Sequence, residues 1–416
     1  MPTDVLYPRF AESLLRAALA DSPVVLVHGP RQCGKTTLTR IVGDRAGYSY
    51  ISFDAEPARA AAEADPIGFV ADLPERVILD EVQHVPRLFA AIKAAVDRRR
   101  TPGRFILTGS ANVLLVPSLS DSLAGRMEIL RLHPLAQAEL ARRQPRFLDR
   151  LFGNGFGVRQ SERLGPELVD RMLAGGYPPA IARPAPRRRA LWYRSYVESL
   201  VQRDVRDMSR IASLDILPRL LAAAAAQTAC LFNASGLSAP FHLSRPTIRD
   251  YVTLLERVFL LALLPPWHSN RLSRLIKTPK LHLGDSGLAA ALLDVDREAA
   301  AAERGLVGQL LETFVFQELV RQASWRDDAL SFFHFRDKDG VEVDIVIERG
   351  ARAVAGIEVK AGATVTAADF RGLRKLQHAA GRRFAGGVVL YDGETSAPFG
   401  DRLYAVPLRA LWERAT

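Results

Sequence analysis

The sequence predicts an α/β protein of several domains. A parallel-sheet core comes first, then a mainly helical middle, then a second, smaller α/β unit. Three observations carry this. Short unbroken apolar runs (Pro23 to Val27, Val77 to Leu79, Phe105 to Leu107) recur between helix-like segments near the N-terminal end, as buried parallel strands do. Residues 212–290 read as two short helices followed by two strands. The last 110 or so residues read as helix, three strands, helix, strand.

A chain of 416 residues divides at roughly 150 per domain into about two to four units. The expected boundaries are 1–145, 146–211, 212–300 and 301–416. A composition of 48% hydrophobic and 25% charged residues excludes a disordered or collagen-like chain. The longest apolar stretch, Val258 to Leu264, ends at Pro265 and Pro266, far short of the ~20 residues of a membrane span. The N-terminal residues lack the basic-then-apolar pattern of a signal peptide. With only Cys33 and Cys230, a disulfide framework is excluded and a cytoplasmic location is expected.

The formal charge of +10 favours a polyanionic partner, with arginine-rich coding bias as the alternative. Only seven residues of the 56 Lys and Arg are lysines (35, 93, 277, 280, 338, 360 and 375). A retained lysine therefore points to a position needing a compact ammonium.

Lys35 falls in such a position. After the first apolar run comes Gly29-Pro30-Arg31-Gln32-Cys33-Gly34-Lys35-Thr36, matching G-x-x-x-x-G-K-[ST], with Thr37 following. Glycines let the backbone N–H groups curl around a phosphate, and the helix opening near Lys35 adds its positive end. Lys35 is expected to reach the β- and γ-phosphates of ATP and Thr36 to ligate Mg²⁺. Cys33 reads as a small filler. The second run ends in Asp80-Glu81, with Asp80 expected in the Mg²⁺ shell and Glu81 polarising the attacking water. The third ends in Thr108-Gly109-Ser110, where Thr108 and Ser110, with Asn112 next, are placed to sense a γ-phosphate. Tyr48 to Asp54 alternates as an edge strand.

The glycine- and arginine-rich stretch from Arg142 to Gly165 reads as a loop or linker, and residues 182–210 hold eight arginines against three acids, a phosphate-contacting or simply solvated face. In the middle region Ser244 caps a helix from Arg245 to Arg257, and Leu260 to Leu264 and Lys280 to Leu283 are expected to pair as wing strands. This is a winged helix-turn-helix pattern. It serves DNA contact or protein packing, with Arg245, Arg249 and Lys277 as the DNA candidates and Trp267 in the basic wing loop.

In the C-terminal unit, strand parity sets Asp344 apart from apolar Val343 and Ile345 and puts Glu358 and Lys360 on one face. Asp344, Glu358 and Lys360 are expected to converge, with Glu312 from the preceding helix as a further carboxylate. Carboxylates and water suit Mg²⁺ or Mn²⁺, and Lys360 is placed to activate a water against a phosphodiester. Solvated charges on an amphipathic hairpin are the alternative.

The stretch Leu123-Ala-Gly-Arg126 resembles the segment of AAA-type ATPases in which an arginine precedes the last strand of the core. That resemblance implies that Arg126 points into a neighbouring subunit's nucleotide site, making the protein a ring-forming homo-oligomer. Together with Gly175-Gly-Tyr-Pro178, Gly284-Asp-Ser-Gly287, Val341-Glu-Val-Asp344 and Ile357-Glu-Val-Lys360, these motifs resemble a large bacterial and archaeal family of ATP-binding proteins. Its members join an AAA-type P-loop ATPase to a C-terminal domain resembling the PD-(D/E)XK restriction-endonuclease fold. Asp344 follows Val343 rather than a proline, a position variable in that family. The expected function is an oligomeric Mg²⁺-dependent ATPase that binds and remodels double-stranded or branched DNA, with a possible nuclease site. The rivals are a regulatory ATPase switch acting on proteins and an ATP-gated defence or toxin nuclease.

Overall fold

The computed structural model describes residues 6–110, 123, 125–205, 214–270 and 278–413; Asn112 and Lys277 lie outside them. The fold is α/β, as the sequence predicts. Strands β1 (Val24–His28), β2 (Ser49–Ser52), β3 (Val77–Asp80), β4 (Phe105–Gly109) and β5 (Met127–Arg131) form one sheet in the order β2-β3-β4-β1-β5. Every pairing in it is parallel. Strands β1, β3 and β4 are apolar because helices cover both faces. On one side Val25 and Val27 meet Leu15 of helix Ala11–Asp21 and Leu38 and Val42 of helix Lys35–Arg45. On the other, Val24, Leu26, Leu79 and Leu107 meet Leu88, Ile92 and Val96 of helix Leu88–Arg98. Parallel crossovers bring the C-terminal ends of β1, β3 and β4 to one edge, where ligands bind in open α/β sheets.

The segment read as a linker is not one. Helix Phe147–Leu151 buries Phe147, Leu148 and Leu151, with Phe152 and Phe156, against Ile345, Ile357, Val388 and Trp412 of the C-terminal unit. Strand β6 (Arg159–Gln160) follows. The glycines gave a loop signature, yet the interleaved phenylalanines supply apolar area that only a core can take up. Helices Pro166–Ala174 and Pro186–Leu200 then lead into the middle unit.

There, β7 (Cys230–Leu231), β8 (Leu261–Leu264) and β9 (Lys280–Leu283) pair antiparallel in the order β7-β9-β8. Helix Arg245–Arg257 begins as expected, with the Ser244 side chain accepting from Thr247 N at 3.2 Å. Trp267 departs from expectation. It is 2% exposed, and its indole Nε1 donates to Glu348 Oε1 at 2.8 Å, so the wing loop is docked on the C-terminal unit from its first residues.

That unit opens with helix Arg304–Ala323 and continues through β10 (Leu330–Arg336), β11 (Glu342–Arg349), β12 (Ala353–Lys360), helix Arg371–Ala380, β13 (Phe384–Tyr391), β14 (Thr395–Gly400) and β15 (Leu403–Pro407). The sheet does not end with β13, the strand that the sequence reads as the last of this unit. Strand β15 runs parallel beside β13, and β14 and β6 extend the order to β10-β11-β12-β13-β15-β14-β6. Leu403 to Val406 is short, apolar and ends at a proline, too brief for its pattern to register. Among the described residues no helix is long and apolar enough to cross a membrane.

Candidate active site and a second carboxylate cluster

The loop after β1 has little freedom. Leu132 N donates to His28 O at 2.8 Å, and a Cβ on Gly29 would stand 2.0 Å from Leu132 O, so only glycine fits. Gly34 is left-handed (φ 101°) and starts helix Lys35–Arg45. Lys35 is 4% exposed, and its Nζ donates to the carbonyls of Gly29 and Pro30, each at 3.0 Å. The ammonium thus sits in the mouth of the curl. Of the other loop residues, Cys33 is buried with its thiol pushed up by burial, Arg31 is half-buried, and Gln32 and Thr37 are exposed.

The ends of β3 and β4 meet this loop. Thr36 Oγ1 donates to Asp80 Oδ1 at 3.0 Å, and Tyr50 OH to Asp80 Oδ2 at 2.8 Å. Thr108 Oγ1 donates to Asp80 and accepts from Glu81 N at 3.1 Å. In this conformation Thr108 orients the two acids. Glu81 is left-handed (φ 57°), an uncommon conformation for a non-glycine that turns its carboxylate off the strand axis toward Lys35. Gln83 Nε2 donates to that carboxylate and to Ser110 Oγ, the latter at 3.0 Å. Burial alone would raise the Glu81 pKa. The Lys35 charge and hydrogen bonds from Gln83 and Ser110 outweigh it and hold the carboxyl below its usual range, so Glu81 is ionised at neutral pH.

Thr36 and Asp80 offer adjacent oxygens, the donor set Mg²⁺ takes beside nucleotide phosphates. The residues therefore fit ATP with Mg²⁺. A bound metal would neutralise charge on the phosphates there, beside the loop and the two carboxylates that the chain itself holds in place.

Sequence reasoning missed what braces this site. Arg9 Nη1 donates to Cys33 O and Nη2 to His133 O, both at 2.6 Å, and its Nε donates to Glu139 Oε1 at 3.0 Å. Glu139, 1% exposed, also accepts from Phe10 N. No motif marks Arg9 or Glu139, which stand 130 positions apart. Gly284-Asp-Ser-Gly287 is likewise a junction. Asp285, fully buried, accepts from Gly176 N and Arg321 Nη2, each at 2.8 Å, and from Tyr193 OH at 2.9 Å. Arg321 continues to Leu135 O at 2.9 Å, so one carboxylate ties three parts of the chain together. Asp285→Ala leaves the Arg321 guanidinium buried without its counter-charge, and a loss of ~3–5 kcal/mol is expected, read as a lowered denaturation midpoint. An unchanged midpoint would contradict the junction role.

Arg126 cannot reach its own loop. It precedes Met127, which pairs with Val24 at the start of β1, whereas the phosphate loop follows His28 at the other end. Its Nε donates to Asp97 Oδ1 at 2.5 Å, a partly exposed pair.

In the C-terminal unit the predicted residues do come together, around an occupant the sequence did not suggest. Lys280 Nζ, from β9, donates to Glu312 Oε1 at 2.8 Å and Asp344 Oδ1 at 3.2 Å. Asp344 Oδ2 accepts from Val359 N at 2.9 Å, and Lys360 Nζ donates to Glu358 Oε1 at 2.8 Å. Burial, then the charge of Asp344, pushes Glu358 up to about 7 and Glu312 well above its ordinary value. Burial of Lys280 works against its charge, but Asp344 and Glu312 prevail and raise its pKa. Among the described residues no three His, Cys, Asp or Glu are grouped to hold a metal ion. The expected Mg²⁺ or Mn²⁺ ligands Glu312, Asp344 and Glu358 thus do not fit that role as arranged, because an ammonium stands between two of them.

The parallel five-stranded sheet, the glycine loop and the Asp80-Glu81 pair define an AAA-type P-loop ATPase, and residues 21–141 match a family described as an AAA domain. Residues 165–299 and 307–411 match two domains of unknown function, DUF8612 and DUF4143. The chain belongs to the family of the uncharacterized proteins Rv2008c of Mycobacterium tuberculosis and Mb2031c of Mycobacterium bovis. Each is 31% identical over 401 residues, 96% of this chain and 83% of the relative. Among solved structures, a Walker-type ATPase of Pyrococcus abyssi aligns at 16% identity, covering 70% of this chain and 97% of that one, with a TM-score of 0.44. The Thermotoga maritima RuvB Holliday junction branch migration motor aligns at 17% identity over 61% of this chain and 89% of its own, with a TM-score of 0.30.

Proposed function

We propose that this ATPase works as a homo-oligomer on double-stranded or branched DNA, with hydrolysis at subunit interfaces shifting the middle and C-terminal units against the duplex. In this reading Lys35 and Thr36 hold the phosphates and Mg²⁺, Asp80 orders the metal's shell, and Glu81 orients the attacking water. Arg126 of a neighbour stabilises charge on the transferred phosphoryl oxygens. The observation that carries the oligomer is the position of Arg126 at the sheet edge remote from its own loop.

DNA binding rests on charge and on one helix. The chain is basic by +10. Arg245 and Arg249 are both exposed, one turn apart at the N-terminal end of helix Arg245–Arg257, where the helix dipole also favours phosphate. Trp267 is buried and so is not available to stack on bases, and phosphate contact is the mode expected.

Anisotropy titrations of labelled duplex and four-way-junction DNA over a salt series test this. Arg245→Ala/Arg249→Ala is expected to weaken binding to every sequence alike and to flatten the log K against log salt slope by about one unit per lost phosphate contact. Wild-type binding that is absent, or insensitive to salt, would move the assignment to a switch acting on protein partners.

A further inference from the structure

A cavity of about 480 Å³ opens where the ATPase core, the middle unit and the C-terminal unit meet. Pro30 of the phosphate loop and Arg131 of β5 line it from the core, Arg257 and Phe259 from the middle unit, and Phe316 and Phe332 from the C-terminal unit. The volume is that of a small-molecule site, and such sites concentrate where units adjoin. Of these six residues only Pro30 belongs to the nucleotide site, through the carbonyl that accepts from Lys35 Nζ.

Two cations line this cavity without a counter-ion. Among the described residues neither the Arg131 nor the Arg257 guanidinium makes a hydrogen bond or an ion pair, and Arg257 Nε is buried. Arg131 is open to solvent, yet the protein around it lowers its pKa by desolvation, with the charge of Glu256 opposing. That combination belongs to a cation deep in a cleft. Glu256 also lines the cavity, but its Oε1 is taken by Leu263 N at 3.0 Å and it pairs with neither arginine. Two guanidiniums against one acid leave the cavity positive, and a sheltered charge without a partner is costly.

The rings are a second observation. Phe259 is left-handed (φ 63°) just past the end of helix Arg245–Arg257, where glycine is usual. This strained turn holds its ring centroid 4.9 Å from the Arg131 guanidinium carbon. Phe316 and Phe332 meet edge to face at 6.1 Å. Free phosphate would use the arginines and leave the rings idle, and an aromatic carboxylate carries a single charge. A phosphate monoester on a ring-bearing body carries close to two charges and uses both parts of the lining.

We propose that this cavity binds a nucleoside monophosphate, its phosphate answered by Arg131 and Arg257 and its base lodged among the phenylalanines. The site is separate from the one that takes ATP, and the proposal does not rest on DNA being the partner. Through Pro30, a bound ligand touches the loop that grips ATP.

Isothermal titration of the full chain with AMP, UMP and inorganic phosphate tests it. AMP or UMP is expected to bind one site per chain in Lys35→Ala, which lacks ATP binding, and equally in wild type filled with a non-hydrolysable ATP analogue. Arg131→Gln and Arg257→Gln should each weaken that binding roughly 10–100-fold, the worth of a hydrogen bond to a charged group, and leave ATP affinity unchanged. Since neither guanidinium has a partner to lose, both variants should melt no lower than wild type. Binding of neither nucleotide would overturn the proposal, as would binding that disappears when the ATP site is disabled or filled, or that survives both arginine substitutions together. Inorganic phosphate bound as tightly as AMP and UMP would leave only an anion site and overturn it too. A lowered melting midpoint in either variant would make the arginines structural, with the same consequence.

Discussion

Glu81→Gln is expected to bind ATP as wild type does and to hydrolyse it ~10²–10⁴-fold more slowly, the span of a well-placed general base. The substitution keeps the side chain's shape, and the amide oxygen can still accept from Gln83, so the left-handed backbone at this position remains braced. What is lost is the negative charge that Lys35, Gln83 and Ser110 keep ionised. Since Lys35 and Thr36 are untouched, affinity should hold while turnover collapses, a split that structural damage would not produce. Fluorescent-nucleotide titration beside a phosphate-release assay reads both numbers. Turnover within a few fold of wild type would remove Glu81 from the chemistry and leave Asp80 as the only other carboxylate at the ends of β3 and β4.

Arg126→Ala is expected to leave nucleotide affinity unchanged and to lower turnover by as much as ~10³–10⁵, the range measured for arginines that meet a transferring phosphoryl group. The reason is positional. Within its own chain Arg126 sits beside Asp97, at the wrong end of β5 to touch ATP. The competing account is that it serves a surface ion pair with Asp97, whose removal changes neither stability nor rate. Mixing separates the two. A chain with Arg126→Ala keeps a working loop, and one with Lys35→Ala keeps a working arginine. Mixed assemblies should therefore regain turnover that each variant lacks alone. Inert mixtures, or full activity of Arg126→Ala by itself, would remove the shared site.

The nucleotide site was legible because its chemistry is local. A glycine loop, a lysine and two acids at the ends of apolar runs are constrained by neighbours a few residues away. Tyr48 to Asp54, expected as an edge strand, does stand at the edge of the order β2-β3-β4-β1-β5. Strand parity in β11 and β12 likewise brought Asp344, Glu358 and Lys360 to one place. What stayed hidden was long-range. Arg9, Glu139, Asp285 and Arg321 work through partners separated by tens to hundreds of positions, and no period encodes that. Lys280 was counted among the rare lysines, but assigned only to a wing strand. Its reach into the carboxylates is set by the docking of one unit on another. The same docking buried Trp267, read from the sequence as the aromatic of a basic wing loop, and drew the glycine-rich stretch around Phe152 and Phe156 into a core.

The central claim is that ATP turnover is coupled to DNA. The most direct measurement is the steady-state hydrolysis rate of wild type at low and moderate salt, with and without duplex and four-way-junction DNA, beside Arg245→Ala/Arg249→Ala. The account predicts that DNA stimulates wild type, that stimulation fades as salt rises, and that the double variant keeps its basal rate but loses most of the response. A rate indifferent to either DNA at low salt, or stimulation undiminished in the double variant, would contradict it.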